Sequence, residues 1–344
     1  MGSLSPLRTP FCERLGIEHP ILNAGIGLGA GPALAAAVSN AGGCGVIGLS
    51  GVPAERSGDL VNATRALTTR PFGANMIIAS LTRPELADTV RARVRAILEA
   101  HVTLLVLFWG DPSEFVEDAH RAGTLLVVQI GSVDEARAAA RAGVDGVIAQ
   151  GMEAGGHVRG RVSLSTLLPA VVDAVSPLPV LASGGIADGR GLVAALDLGA
   201  QAVSLGTRFV ASAESNVVTE HRERIVRAHA ADAVYYEDLY DVGWQNAPHR
   251  TLRTKAVEEW EAAGRPPSGA RPGEGTVIGV DHRPWGDVEV KRYAPFTLAP
   301  TFEGASEYAP LWAGESCELV NEVKPAGEIV RDIVRDAERI LAGR

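Results

Sequence analysis

The chain has 344 residues, 46% of them hydrophobic, and a net charge of −9. That length suits one large barrel or two ordinary domains, and the acidic balance argues against nucleic acid or an anionic membrane surface as a main partner. Cys12, Cys44 and Cys317 are far apart, with no CxxC or Cys/His ligand spacing, so neither a disulfide framework nor a metal site is expected.

At the N-terminus, MGSLSPLRTPF has no apolar h-region, and Pro6 stands where a myristoylation pattern wants Ser or Thr. No run approaches the length of a membrane span, so a soluble cytoplasmic protein is expected. Eight short runs, apolar on both faces, then follow in order: 20–24, 44–49, 72–78, 103–108, 124–130, 145–151, 179–184 and 202–207. Such runs read as buried parallel strands. Helices are predicted between them. One begins at Pro32 and stops at Gly42–Gly43. A second has Ser132 as N-cap, Glu135 three residues on, and ends at Gly143. A third is capped by Asp188 and ends at Gly199. Strand-then-helix repeats of about 25 residues are βα units, and eight of them favour a closed (β/α)8 TIM barrel over an open doubly wound sheet.

The pattern changes after about residue 212. The polar, aromatic, helix-prone stretch that follows is expected to form an inserted, mostly helical lid or substrate domain over 212–320, with RPPSGARPGEG (265–275) as a Pro/Gly loop. A last helix, about 325–342, is expected to return to a barrel made of 1–211 and 321–344.

In a (β/α)8 barrel, chemistry sits at the C-terminal ends of the strands. Glycines gather there. The seventh strand runs into ASGGIADG (182–189), with Ser183, Gly184 and Gly185, and the eighth into SLGTRF (204–209), with Ser204, Leu205, Gly206 and Thr207. Two such turns suit a phosphate, which backbone N–H groups can hold where no side chain intervenes. Taken singly, they are tight βα turns. Asn75 ends the third strand in FGANM; its amide suits the edge of a heteroaromatic ring. Gln129 and Gln150 bring two more amides to that mouth, and NAGIGLGAG (23–31) leaves room for a planar ligand. AQGMEAGGHVRG (149–160) sets His157 behind Gly155 and Gly156. Its reference pKa near 6.5 lets a histidine trade protons at neutral pH. Glu153 and Arg159 either orient this loop or are solvated. Trp244 and Trp312 read as packing residues, and His221, His229 and His249 as polar residues of the insert.

QGMEAGGHVRG, FGANM, LASGGIADGRGLVAALDLGAQAVSLGTRF (181–209) and APLWAGES (309–316) together resemble the nitronate monooxygenase family, formerly 2-nitropropane dioxygenase. The resemblance implies an FMN-dependent TIM barrel with the flavin at its C-terminal mouth. By position in the motifs it implies that Gln150 and Gly155 contact the flavin, and that Gly185 and Ser204 to Thr207 hold the phosphate end. Asn75 would meet the ring, Ala24, Gly25 and Ile26 would line it, and His157 would be the catalytic base. Many members have proline and methionine where this chain has Ala24-Gly25-Ile26.

The implied activity is oxidation of alkyl nitronates with O2 to a carbonyl compound and nitrite. A similar motif occurs in flavin enoyl-acyl-carrier-protein and NAD(P)H:quinone reductases, so an NAD(P)H-dependent reductase stands as the alternative. GIGLGAG (25–31) is not a Rossmann fingerprint, since no acidic residue follows at the required distance. A flavin-free phosphate-sugar barrel would want a lysine or glutamate at a strand end, and no lysine is offered. A non-catalytic flavin or small-molecule binding module would have no use for the placement of His157. The expected partners are a small-molecule substrate and O2, with neither nucleic acid nor membrane. The sequence leaves the oligomeric state open, a homodimer included.

Overall fold

Strands buried on both faces need helices outside and side chains inside, and the chain supplies both. The computed structural model describes residues 6–344; Gly2 of the discounted acylation pattern lies outside them. The strands are β1 (Ile21–Asn23), β2 (Gly45–Gly48), β3 (Phe72–Ile77), β4 (Leu104–Phe108), β5 (Leu125–Ile130) and β6 (Gly146–Gln150). After a two-residue β7 (Gly156–His157) come β8 (Val180–Ser183) and β9 (Ala202–Leu205). All but β7 pair in parallel, in the order β1-β9-β8-β6-β5-β4-β3-β2. The edges meet through a parallel bridge from Leu22 to Cys44. Asn23 completes the seam: its Nδ2 donates to Val46 O at 2.8 Å and its Oδ1 accepts from Val46 N at 2.9 Å. A side-chain amide thus stands in for a peptide where the strands diverge, so Asn23 can be fully buried.

Alternation along each strand separates two cores. Leu22, Val46, Val106, Ile148, Leu181 and Ala202 fill the barrel interior with Phe11, Cys12 and Leu15 of α1 (Pro10–Leu15). That helix closes the N-terminal end. Thr9 and Phe11 bond to Gln201, and Arg14 pairs with Asp145, just before β9 and β6. Outward residues such as Val203 and Leu205 meet the surrounding helices.

Those helices are α2 (Pro32–Asn40), α3 (Ala54–Leu67), α4 (Pro84–Glu99), α5 (Val116–Arg121), α6 (Val133–Ala142), α7 (Leu164–Val175) and α8 (Gly189–Asp197). The predicted caps form. Ser132 accepts from Glu135 N, Asp188 accepts from Arg190 N and Gly191 N, and Gly143 closes α6 at φ 88°. After a one-turn α9 (Thr207–Val210) and the insert, α12 (Ala326–Ala342) lays Ile329, Val330, Ile333 and Val334 on the outer core, against α8 and α2.

The expectation of a mostly helical insert is corrected. Residues 212–320 hold two α-helices, α10 (Thr219–Arg227) and α11 (Lys255–Ala262). They also hold five strands: β10 (Ala233–Tyr236), β11 (His249–Leu252), β12 (Val277–Arg283), β13 (Gly286–Lys291) and β14 (Phe302–Gly304). Cross-strand pairing overrides the helix-prone composition. β12 turns through Pro284-Trp285 into β13 and pairs with β14 on its other side. β11 lies between β10 and β7, so the insert pairs with the histidine loop of the barrel. The Pro/Gly loop is pinned by buried Arg271, which pairs with Asp241 at 2.7 Å and donates to Leu239 O and Asp238 O.

Candidate active site

The C-terminal ends of the strands open into a cavity of about 1160 Å³. Of the predicted residues, Ala24, Gly25, Ile26, Asn75, Gln129 and Gln150 line it. So do Gly155, Gly156, His157, Ser183, Gly184, Gly185, Ser204, Gly206 and Thr207. Leu205 does not, which corrects its assignment: strand alternation sends its side chain to the outer core, and it meets the mouth only through its carbonyl, which accepts from Ala24 N at 2.9 Å.

Gly184 and Gly185 turn at φ 104° and 69°, in the left-handed region that glycine favours. Their N–H groups, and those of Gly206 and Thr207 opening α9, make no hydrogen bond within the described chain. A Cβ on Gly206 would reach no atom closer than Ala24 Cβ, 3.9 Å away, so the space beside it is open. Uncommitted donors around open space are what the phosphate end of FMN requires, and in this respect the residues fit that group.

Other glycines serve the protein itself. A Cβ on Gly25 would stand 2.2 Å from Asn75 Cγ, so Gly25 makes room for that amide, whose Nδ2 donates to Val106 O at 3.1 Å. A Cβ on Gly155 would stand 2.4 Å from Ala313 C, and one on Gly314 would stand 2.6 Å from Glu153 O. Here the histidine loop and the arm 309–316 touch backbone to backbone. Glu315 N donates to Glu153 O, and Gly314 N donates to Thr207 Oγ1 at 2.9 Å.

Gln150 is committed to the loop at both ends of its amide: Nε2 donates to His157 O at 2.8 Å, and Oε1 accepts from Arg159 N at 3.0 Å. Glu153 and Arg159 both orient it. Glu153 accepts from Leu164 N at the start of α7, and Arg159 pairs with Glu135 at 2.6 Å while lying over the Trp109 ring.

His157 sits opposite His249 in the β7–β11 ladder. Its ring stacks on Trp244, with Trp109, Trp312 and His249 around it. Nε2 is buried and has no hydrogen-bond partner. Burial, and secondarily the neighbouring His249, push its pKa down to about 3, so the imidazole is neutral. His249 is fully buried and likewise neutral, pushed down to about 4 by desolvation. Tyr240 N donates to its Nε2, so the proton is on Nδ1, which donates to Ala247 O.

The sequence reading missed Trp109 and took Trp244 and His249 for ordinary residues of the insert. Trp109 follows the last residue of β4 at φ 66°, rare for a large side chain. Applying the strand-end rule to the fourth strand as well as the seventh and eighth finds it. Nothing in the polar insert sequence marks His249 as the ladder partner of His157. Among the described residues no cluster of His, Cys, Asp and Glu suits a metal, and no helix is long and apolar enough to cross a membrane.

Comparison with known proteins agrees with this architecture. The nitronate monooxygenase family model matches residues 8–336. The chain is 33% identical to a nitronate monooxygenase of Pseudomonas aeruginosa, over 95% of this chain and 98% of that one. It is 32% identical to the (3aS,4S,5R,7aS)-5-hydroxy-7a-methyl-1-oxo-octahydro-1H-indene-4-carboxyl-CoA dehydrogenase of Mycobacterium tuberculosis, over 96% of each. The structure of FabK from Thermotoga maritima superposes with a TM-score of 0.77 at 32% identity, covering 98% of both chains. An eight-stranded parallel barrel, a glycine-bounded histidine at its mouth and a family match along almost the whole chain lead to one conclusion: this is an oxidoreductase belonging to the nitronate monooxygenase family.

Proposed function

We propose that this protein binds FMN across the barrel mouth and oxidises alkyl nitronates with O2 to a carbonyl compound and nitrite. The observation that carries this reading is the buried, unpartnered Nε2 of His157 at the wall of the same cavity that holds the uncommitted turns of Gly184–Gly185 and Gly206–Thr207. The turns would hold the phosphate; Asn75 and the residues around Gly25 would border the ring. When bound, the flavin supplies the electron-accepting and oxygen chemistry.

The neutral state of His157 bears on the substrate. A base whose conjugate acid has a pKa of about 3 has little driving force to take a proton from a nitroalkane. A nitronate arrives already deprotonated and needs only to be bound. A neutral imidazole can donate one hydrogen bond to a nitro oxygen, and Nε2 has no competing partner. The surrounding tryptophans exclude water and strengthen that bond.

The reductase alternative is favoured by one observation: a cavity of about 1160 Å³ exceeds the upper end, about 1,000 Å³, of ordinary small-molecule pockets, leaving room for more than a flavin and a short nitronate. The similarity to FabK and to a CoA-ester dehydrogenase is consistent with it. Visible spectroscopy of the purified protein under argon tests both. A yellow protein left oxidised by NADPH, and consuming O2 rapidly with propionate 3-nitronate, supports the oxygenase. Bleaching by NADPH supports the reductase. A colourless protein that takes up no FMN removes both.

A further inference from the structure

The molecule carries a net charge of −9, yet its cavity has the opposite character. Among the described residues, four arginines line it, Arg83, Arg93, Arg159 and Arg283, and no aspartate or glutamate does. Two are committed elsewhere: Arg83 pairs with Glu85 and Arg159 with Glu135. The other two keep donors in reserve.

Arg283 ends β12, its side chain only 6% exposed. Asp281 holds Nε at 2.8 Å, and the guanidinium lies over Phe296, which also lines the cavity. The buried Nη2 has no partner. A carboxylate that binds side-on through Nε fixes the direction of the fork and leaves its far end free. Arg93, on α4, makes no ion pair or hydrogen bond among the described residues, and its Nε is buried and unpartnered. Unsatisfied buried guanidinium donors are costly, and a ligand oxyanion would satisfy them.

Neither arginine belongs to the turns after β8 and β9, where the flavin phosphate is placed under the reading above, so that phosphate does not account for them. The geometry points to a second anion subsite in the same cavity, formed by Arg93 and Arg283, for a phosphate or carboxylate on the organic substrate, away from the carbon that reacts beside His157. The substrate is then a bulky organic anion rather than a short neutral nitroalkane. The proposal rests on the flavin reading only for the placement of the cofactor's own phosphate.

Isothermal titration calorimetry on the purified protein tests it, with coenzyme A as the phosphate probe, glutarate as the carboxylate probe and pantetheine as the phosphate-free control. At least one anion is expected to bind on the order of 10-fold more tightly than pantetheine, and to weaken as salt is raised. The anion that responds identifies the oxyanion. Arg93→Gln and Arg283→Gln are each expected to lower that affinity on the order of 10-fold, with pantetheine binding and flavin content unchanged. Arg283→Gln also strips Asp281 of its ion-pair partner, leaving it the hydrogen bond from Thr301 Oγ1; should it fail to fold, Arg93→Gln, which breaks no hydrogen bond or ion pair, carries the test alone. No preference for either anion over pantetheine, or affinities untouched by the substitutions, overturns the subsite. Flavin lost from a folded arginine variant overturns it too, by assigning the guanidinium to the cofactor. A colourless wild-type protein that still prefers the anions defeats the flavin reading and leaves the subsite standing.

Discussion

The indole of Trp244 stacks on the imidazole of His157, ring centroids 4.0 Å apart and planes 28° from parallel. Trp244 comes from the insert and His157 from the barrel's sixth loop, so the insert sets the electrostatics of the barrel's candidate base. Trp244→Ala is expected to wet the ring and return its pKa from about 3 toward the ordinary 6.5, a rise visible by histidine NMR titration. A ring that still refuses protons at pH 5 would assign the shift to the barrel alone.

His157→Gln tests the function. It keeps an amide that can donate a hydrogen bond and removes the base. FMN content is expected to persist and nitronate turnover to fall only modestly, because glutamine still donates a hydrogen bond, while neutral nitroalkanes, for which the ring is a poor base, stay poor substrates of both proteins. A loss on neutral nitroalkanes far larger than on nitronates in steady-state kinetics would mean that His157 acts as a base after all.

Gly25 and Asn75 form a pair that a double-mutant cycle can read. A methyl at Gly25 would stand 2.2 Å from the Asn75 side chain, so Gly25→Ala alone should cost roughly 1–3 kcal/mol of stability by overpacking. In an Asn75→Gly background, which also removes the Asn75 Cβ that would stand 2.4 Å away, the clash is gone and the cost should largely vanish, in denaturant melts of all four proteins. Additive costs would deny the contact.

Gly206 is the place to test the proposed phosphate turn without straining the backbone, because its φ is −92°. Gly206→Val should fill the open space beside Ala24 and lower flavin content, while the far-ultraviolet spectrum stays that of the wild type. Full flavin content would move the phosphate away from the last turn of the barrel.

Three histidines make the fold sensitive to mild acid. Burial pushes His157 down to about 3 and His221 and His249 to about 4, all below the ordinary 6.5. Above about pH 6.5 they are neutral in both folded and unfolded chains and contribute nothing. As the pH falls toward 4, the unfolded chain gains protons that the folded one refuses, so stability drops by roughly 1 kcal/mol per pH unit per histidine, levelling off below their folded values. Urea melts between pH 7 and 5 should show the loss. His221→Gln, which can still donate to Trp312 O, should flatten it.

The barrel was legible because its code is redundant. Runs such as LLVLF and GVIAQ are apolar on both faces, and Ser132, Asp188 and Gly143 mark helix ends by local chemistry. The insert was not. GDVEVK alternates as a strand does, but VIGVDHR runs apolar and then polar, and partner strands, not local preference, decide the outcome. In the site, glycines were easy to find and hard to assign. Gly206 borders open space as expected and Gly184 and Gly185 take left-handed turns close against Ala154 and Glu153, whereas Gly25 and Gly155 exist for neighbouring protein atoms, a distinction that only contacts distant in sequence reveal. Arg93 and Arg283 went unnoticed for the same reason: a guanidinium on a helix or hairpin looks solvated until its neighbours are known.

The backbone contact between Gly155 and Gly314 has a consequence for anyone who would re-engineer this scaffold. Grafting the insert of a relative onto this barrel from 212 to 320 would set a foreign strip against the imidazole loop, because the returning strip 309–316 is cast to that loop without a methyl's clearance. Loop, insert and strip would have to be exchanged as one cassette, and the selectivity of the pocket is inherited with all three together.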